Sequence, residues 1–214
     1  IKIFKTHFAA LDIRQNHTEH ENVMTQILKN ENRIKNSLDE LSEQELVSIL
    51  VHEQFAVHPD QFEEEIVKDT IRTISEIKSI QEKNGEAGCN RYIISNSEDI
   101  FAVLFVFALL RWCGWKDGEI PVDIVPLFES MDGMKHAESI MRALFDIPEY
   151  RSHVRFRGDR QTIMLGFSDG TKDGGYLQAN WSIFKTKEVL SAVCEQHHIK
   201  AVFFDGRGGP PARG

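Results

Sequence analysis

Residues 161–205 read QTIMLGFSDGTKDGGYLQANWSIFKTKEVLSAVCEQHHIKAVFFD. An apolar run, QTIMLGF (161–167), comes first, then helix-patterned residues Tyr176–His197, then a second apolar run, KAVFFD (200–205). The short runs read as strands and the longer interval as a helix. The same unit recurs upstream. RYIIS (91–95) reads as a short strand before a buried helix over Asp99–Trp112. PVDIVPLF (121–128) reads as a strand before a helix over Gly133–Phe145, ended ahead of Pro148. Strands alternating with helices at this spacing argue for βα units around a parallel sheet, hence an α/β fold.

The first half reads differently. A strand is expected near residues 3–9, running into LDIRQ (11–15). Ser42 and Glu45 have the spacing of a capping box. Phe62, Ile66, Val67, Ile71, Ile74, Ile77 and Ile80 recur every three or four residues, one face of a long amphipathic helix ended near Gly85. Asn84, Gly85 and Gly88 mark a loop, and no repeat or low-complexity linker divides the chain. Residues 1–214 therefore read as one unit, mostly helical over 1–90 after a first strand and alternating βα over 91–214. Arg151, Arg155, Arg157 and Arg160 read as a solvated connection before the 161–167 strand, and Trp181 as helix core. His17, His20, His197 and His198 have no metal-ligand spacing.

The net charge of −8 argues against a nucleic-acid groove, because phosphate binding wants a basic surface. A few local cations still suffice for a small anion. Cys89, Cys113 and Cys194 are far apart and form no CxxC pattern, which fits a reducing compartment and a cytoplasmic protein. The apolar run Ile100–Leu110 is shorter than the ~20 residues that a bilayer requires. The opening IKIFKTHF lacks signal-peptide architecture. Neither it nor the closing GGPPARG reads as a natural terminus, so the sequence is expected to be a piece of a longer chain.

In parallel α/β folds the chemistry gathers beyond the carboxyl ends of the strands. Those ends carry Ser95 and Asn96, then Glu129, then Ser168, Asp169 and Lys172, then Asp205 and Arg207. Polar groups thus fall at the same end of every unit. Taken alone, Glu129 and Asp169 read first as solvated acids favoured by helix dipoles, and second as oxygen ligands for a hard divalent cation. Lys172 sits in GFSDGTKDGG (166–175), whose backbone amides open a helix and suit an anion; the plainer reading is a capped turn. This is not a Walker loop, because the GxxxxGK[ST] spacing is absent. In DGRGGPPARG (205–214), Arg207 and Arg213 stand among glycines directly after an apolar strand, which favours an anion site over a solvated tail. Arg14 alone reads as a surface arginine.

These four stretches occur together, in this order, in phosphoenolpyruvate carboxylases. PLFES (126–130) resembles that family's Pro-Leu-Phe-Glu-Thr segment, and GFSDGTKDGG its Gly-Tyr-Ser-Asp-x-x-Lys-Asp-x-Gly segment. DGRGGPPARG resembles its His-Gly-Arg-Gly-Gly-x-x-Gly-Arg-Gly loop, and LDIRQNHTEH (11–20) its Leu-Asp-Ile-Arg-Gln segment. The resemblance implies a partial parallel (β/α) barrel of TIM type with additional long helices. It implies that Glu129 and Asp169 hold Mg²⁺ or Mn²⁺, that Arg14 and Arg207 grip the phosphate of phosphoenolpyruvate, and that Lys172 and Arg213 lie near bicarbonate. It also implies a homo-oligomer, commonly a tetramer. A catalytic histidine is expected upstream of this piece and further substrate arginines downstream, so the piece alone is not expected to turn over substrate.

The departures from the pattern lie on the bicarbonate side. Asp205 stands where the family usually has His, and Pro210, Pro211 and Ala212 replace a glycine-containing spacer. IISNSEDI (93–100) only loosely follows an Ile-Ser-Met pattern. Two other readings stay open: a non-enzymatic anion- or metal-binding α/β module, and a phosphoenolpyruvate-using enzyme of another reaction type.

Overall fold

Short β-type runs joined by helices assemble into a five-stranded parallel sheet in strictly sequential order. The structure, a computed structural model, describes residues 9–116 and 118–206, with the backbone alone for 168–174. Its strands are β1 (Asp12–Asn16), β2 (Arg91–Ser95), β3 (Asp123–Phe128), β4 (Arg160–Gly166) and β5 (Lys200–Gly206). The strands expected at 91–95, 121–128, 161–167 and 200–205 therefore lie where the alternation puts them. The strand expected near residues 3–9 falls almost wholly outside the described residues. The first described strand is DIRQN itself, whose polar side chains hide it from a search for apolar runs.

Between β1 and β2 run α1 (His17–Asn30), α2 (Glu43–His52) and α3 (Glu65–Asn84). The Ser42 side chain accepts from the Glu45 N–H while the Glu45 carboxylate accepts from the Ser42 N–H, closing the capping box that starts α2. The α3 stripe behaves as its period predicts: Val67, Ile71, Ile74 and Ile77 are buried. Ile66, one step off that face, is 41% exposed. Gly85, at φ 84°, ends the helix in a conformation that suits only glycine well.

The helix α4 (Phe101–Trp112) is buried on every side from Ala102 onward. Helices α1, α2 and α3 and strand β3 surround it. Its carboxyl end is satisfied by the α2–α3 connection: Gln54 Nε2 donates to the Arg111 carbonyl at 2.9 Å, and the Val57 N–H to the Trp112 carbonyl at 3.3 Å. In return, Trp112 Nε1 donates to the Glu53 carbonyl and Arg111 Nη1 to the Leu50 carbonyl.

After β3 come α5 (Met131–Asp146) and α6 (Pro148–Phe156), and after β4 comes α7 (Ser168–Gln196). Gly175, at φ 79°, interrupts α7, so its regular part begins at Tyr176 as expected. Two expectations are overturned. Trp181 is not core: it is 56% exposed, stacked on Phe184 with Lys185 over its ring. Helical period alone did not say which α7 face meets the sheet; Ala179, Leu190 and Val193 do. Nor is the arginine run a solvated connection. Proline at the first position starts α6, and the side chain of Arg157 just beyond it is only 7% exposed. Its Nε donates to Asp123 Oδ1 at 2.6 Å, with both side chains under a tenth exposed, and its Nη1 donates to Glu86.

The two faces of the sheet are unlike. Tyr92, Ile94, Ile124, Phe128, Ile163 and Leu165 join the large core that the helices fill. Ile93, Val125 and Leu127, with Met164 against them, form a separate small cluster on the other face, and no described helix contributes to it. No described helix is long and apolar enough to cross a membrane.

The Arg157–Asp123 pair tests this packing. Removing one partner of a buried pair costs at most about 3–5 kcal/mol, and here the more exposed Arg160, 3.5 Å from Asp123 Oδ2, keeps the loss below that ceiling. Arg157→Ala is expected to lower unfolding stability within that ceiling in urea titration. Adding Asp123→Ala should recover part of the loss, whereas additive losses would mean that the pair is not coupled.

Candidate functional site

Three βα connections meet at the carboxyl edge of the sheet. Strand β3 delivers Glu129 one residue past its end. By the two-residue strand period, Glu129 continues the face of Val125 and Leu127 rather than the helix-covered face. The register places Arg14 of β1 beside Ile93 of β2, on that same face. Arg14 Nη2 lies 3.5 Å from Glu129 Oε2; the arginine is half exposed and the carboxylate 18% exposed.

The second carboxylate oxygen is held by backbone. The Asn96 N–H, one residue past β2, donates to Glu129 Oε1 at 3.1 Å. The β2–α4 loop is tied to the β3–α5 loop at further points. The Ser97 N–H donates to the Leu127 carbonyl, Ser97 Oγ to the Ile94 carbonyl, and Ser130 Oγ to Glu98 Oε1. Ser130 also caps α5 by accepting from the Gly133 N–H at 2.9 Å. On the other flank Glu129 lies against Gly166, the last residue of β4. A Cβ on Gly166 would stand 2.5 Å from the Glu129 Cβ.

The chain from Gly166 enters α7 at once, which puts the Asp169 backbone in the first turn beyond β4. Glu129 and Asp169 thus follow adjacent strands at the same edge. The side chains of Asp169 and Lys172, and all of Arg207 and Arg213, lie outside the described residues. Among the described residues no three carboxylate, imidazole or thiol groups converge as a complete metal cluster.

A family model described as phosphoenolpyruvate carboxylase matches residues 1–214. The chain belongs to the phosphoenolpyruvate carboxylase family. Curated relatives carrying that name include proteins of Synechococcus sp., Nitrosomonas europaea and Corynebacterium diphtheriae. They are 34%, 33% and 34% identical to this chain and cover 100%, 99% and 100% of it. The match takes up 21%, 24% and 24% of their own lengths, so the chain spans about a fifth to a quarter of these relatives.

Two members of this phosphoenolpyruvate carboxylase edge escaped the sequence reading as contributors. Asn96 was noted only as a polar residue after a strand, and nothing in its type reveals that its backbone N–H does the work. Gly166 did carry a signal, a glycine closing an apolar strand, where another group approaches closely. Asp205, in the family's histidine position, is ion-paired with Lys187 of α7 at 2.6 Å.

Two histidine rings are buried within the fold. His20 on α1 meets the Tyr92 hydroxyl at 2.8 Å. Burial, reinforced by His17 one turn earlier, pushes the His20 imidazole down to about 3. His153 on α6 lies between Phe107 and Tyr150. Burial, aided by the Arg157 charge and opposed by Asp123, pushes it down to about 4. Both rings are neutral in the fold, whereas the unfolded chain takes up protons near pH 6.5. Stability is therefore complete above pH 6.5 and falls as the pH drops toward the folded values, by up to about 1.4 kcal/mol per unit for each ring. Denaturant titrations between pH 7.5 and 5 should show this slope, and His153→Phe should remove about half of it. A slope unaltered by His153→Phe would assign the acid sensitivity elsewhere.

Proposed function

We propose that this chain is the metal- and phosphate-binding part of a phosphoenolpyruvate carboxylase, working within one partial (β/α) barrel unit of TIM type over residues 1–214. The observation that carries the reading is the Glu129 carboxylate, seated at the carboxyl edge between Asn96, Gly166 and Arg14. The barrel is supported by the sequential strand order, which has no switch point, and by the confinement of the described helices to one face. A parallel sheet is normally covered on both faces, and closing the sheet on itself covers the second.

In this reading Glu129 and Asp169 hold Mg²⁺ or Mn²⁺. The fit is chemical: a hard cation takes one or two carboxylates and keeps its other positions for substrate oxygens and water. The bound ion supplies Lewis-acid stabilisation of developing oxyanion charge. Arg14 and Arg207 hold the phosphate of phosphoenolpyruvate, and their forked donors spread the charge of the transferring phosphoryl group. Lys172 and Arg213 keep bicarbonate in line for attack. Phosphoryl transfer to bicarbonate gives carboxyphosphate and the enolate of pyruvate. Carboxyphosphate then breaks its carbon–oxygen bond to give carbon dioxide and phosphate, and the enolate carbon attacks the carbon dioxide to give oxaloacetate. The phosphoenolpyruvate carboxylase is read as a cytoplasmic homo-oligomer.

Arg14 has two roles here. With no cation bound it offsets the Glu129 charge; with cation and substrate bound its guanidinium is free to turn to the phosphate. The 3.5 Å separation and the half-exposed arginine side chain suit such an exchange, because the guanidinium can reach solvent when it leaves Glu129.

Glu129→Gln and Asp169→Asn in the full-length protein test the metal assignment. Each keeps the side-chain shape and removes one negative charge from a hard-cation site. Each is expected to weaken Mn²⁺ binding by more than about tenfold, read by electron paramagnetic resonance. Oxaloacetate formation, coupled to malate dehydrogenase, should fall by roughly a hundredfold or more. Unchanged Mn²⁺ affinity in both variants would make the two acids structural.

A further inference from the structure

We infer that Asn96 and Gly166 are positioning residues that aim the Glu129 carboxylate at the cation, a proposal that rests on the metal reading above. Four non-glycine residues have positive φ among the described residues: Asn32, Asn96, Asp159 and His198. Three of them follow helices, where a left-handed residue commonly closes the last turn: Asn32 after α1, Asp159 after α6 and His198 after α7. Asn96 is different. It follows a strand, at φ 60°, where no helix end needs closing.

What the left-handed turn achieves there is visible in its hydrogen bond. It directs the Asn96 N–H across the edge to Glu129 Oε1 at 3.1 Å, while the next N–H, that of Ser97, binds the β3 backbone at Leu127. Asparagine tolerates this conformation far better than a β-branched residue does. On the opposite side, Gly166 admits Glu129 against the β4 backbone, where any Cβ would collide with the Glu129 Cβ and Cα. The carboxylate is thus fixed from one flank by a donor and from the other by a missing side chain. An oxygen fixed in this way needs no reorganisation when a cation arrives, which is how outer contacts tune a metal ligand.

The two devices make different demands on substitution. At position 96 the requirement is a backbone conformation, so glycine should serve and a β-branched residue should not. At position 166 the requirement is space, so even alanine should disturb Glu129.

The test is Mn²⁺ affinity by electron paramagnetic resonance in the full-length protein. Wild type is compared with Asn96→Gly, Asn96→Val, Gly166→Ala and Glu129→Gln, and Asn96→Ala replaces Asn96→Val if the latter does not fold. Asn96→Gly is expected to bind as wild type does. Asn96→Val and Gly166→Ala are each expected to bind about tenfold more weakly. In the Glu129→Gln background neither substitution should weaken binding further, because both act through that carboxylate. Wild-type affinity in Asn96→Val and Gly166→Ala, alongside weakened binding in Glu129→Gln, would overturn the positioning role and leave the metal reading standing. Equal losses in Asn96→Gly and Asn96→Val would also overturn it, by assigning the effect to the asparagine side chain. Unchanged binding in Glu129→Gln would remove the metal reading and the proposal together.

Discussion

A helix with no polar side cannot rest on a surface, and α4 is such a helix. From Ala102 to Trp112 every residue is buried, including Arg111, whose guanidinium lies over the Phe107 ring and binds the Leu50 carbonyl. The sheet can cover only one flank. The rest must come from elsewhere in the chain, and this explains the unusual length between β1 and β2. Parallel strands need a crossover, for which one helix suffices. Here the crossover is three helices, α1, α2 and α3, each contacting α4. They are the cover that α4 requires, and they bring the capping box at Ser42 and the glycine stop at Gly85 with them.

Because the helices lie on one face, the polarity of the other face is released from packing duty. Near the middle of the sheet it is apolar, at Ile93, Val125, Leu127 and Met164. Toward the carboxyl edge the same face turns to Arg14 and Glu129. Fold and chemistry are thus separated along the strand axis of one surface. The amino-terminal edge is settled by a structural pair, Asp123 with Arg157, their side chains buried and hydrogen-bonded. The carboxyl edge holds a looser pair, Arg14 with Glu129, half exposed and longer. A tight pair suits a fixed joint, and a loose one suits a group that must change partners.

Period and punctuation made β2 to β5, α3, α4 and the regular part of α7 legible in the sequence, because each is a strong local pattern. Three features were not legible, and for different reasons. Asp12–Asn16 is a strand whose pairing with β2, not its composition, makes it one. Arg157 sits in a run of arginines of which two, Arg157 and Arg160, reach the buried Asp123, and that acid is 34 residues away from Arg157 in sequence. Trp181 has the right period for either side of α7, and period alone does not say that the buried side is that of Ala179, Leu190 and Val193. At the candidate site, Glu129 could be singled out by its type and its place just after β3. The holding of Glu129 was not legible, because a backbone N–H and an absent Cβ carry no side-chain signature.

The substitution at position 205 shows how a departure can be absorbed. Asp205, where the resemblance expects histidine, puts a negative charge two residues before Arg207, where the anion site is proposed. An unbalanced carboxylate there would oppose both bicarbonate and phosphate. In this fold, however, Lys187 on α7 reaches Asp205 at 2.6 Å, and the same ammonium group lies over the Phe203 ring. Helix α7 carries Asp169 and Lys172 near its start, so the same helix also supplies the cation that pairs with Asp205. The net local charge is then closer to that of a neutral histidine than the residue type suggests. What the exchange removes is an imidazole, whose ring nitrogens can donate as well as accept, and what it leaves is a carboxylate occupied by the Lys187 ammonium.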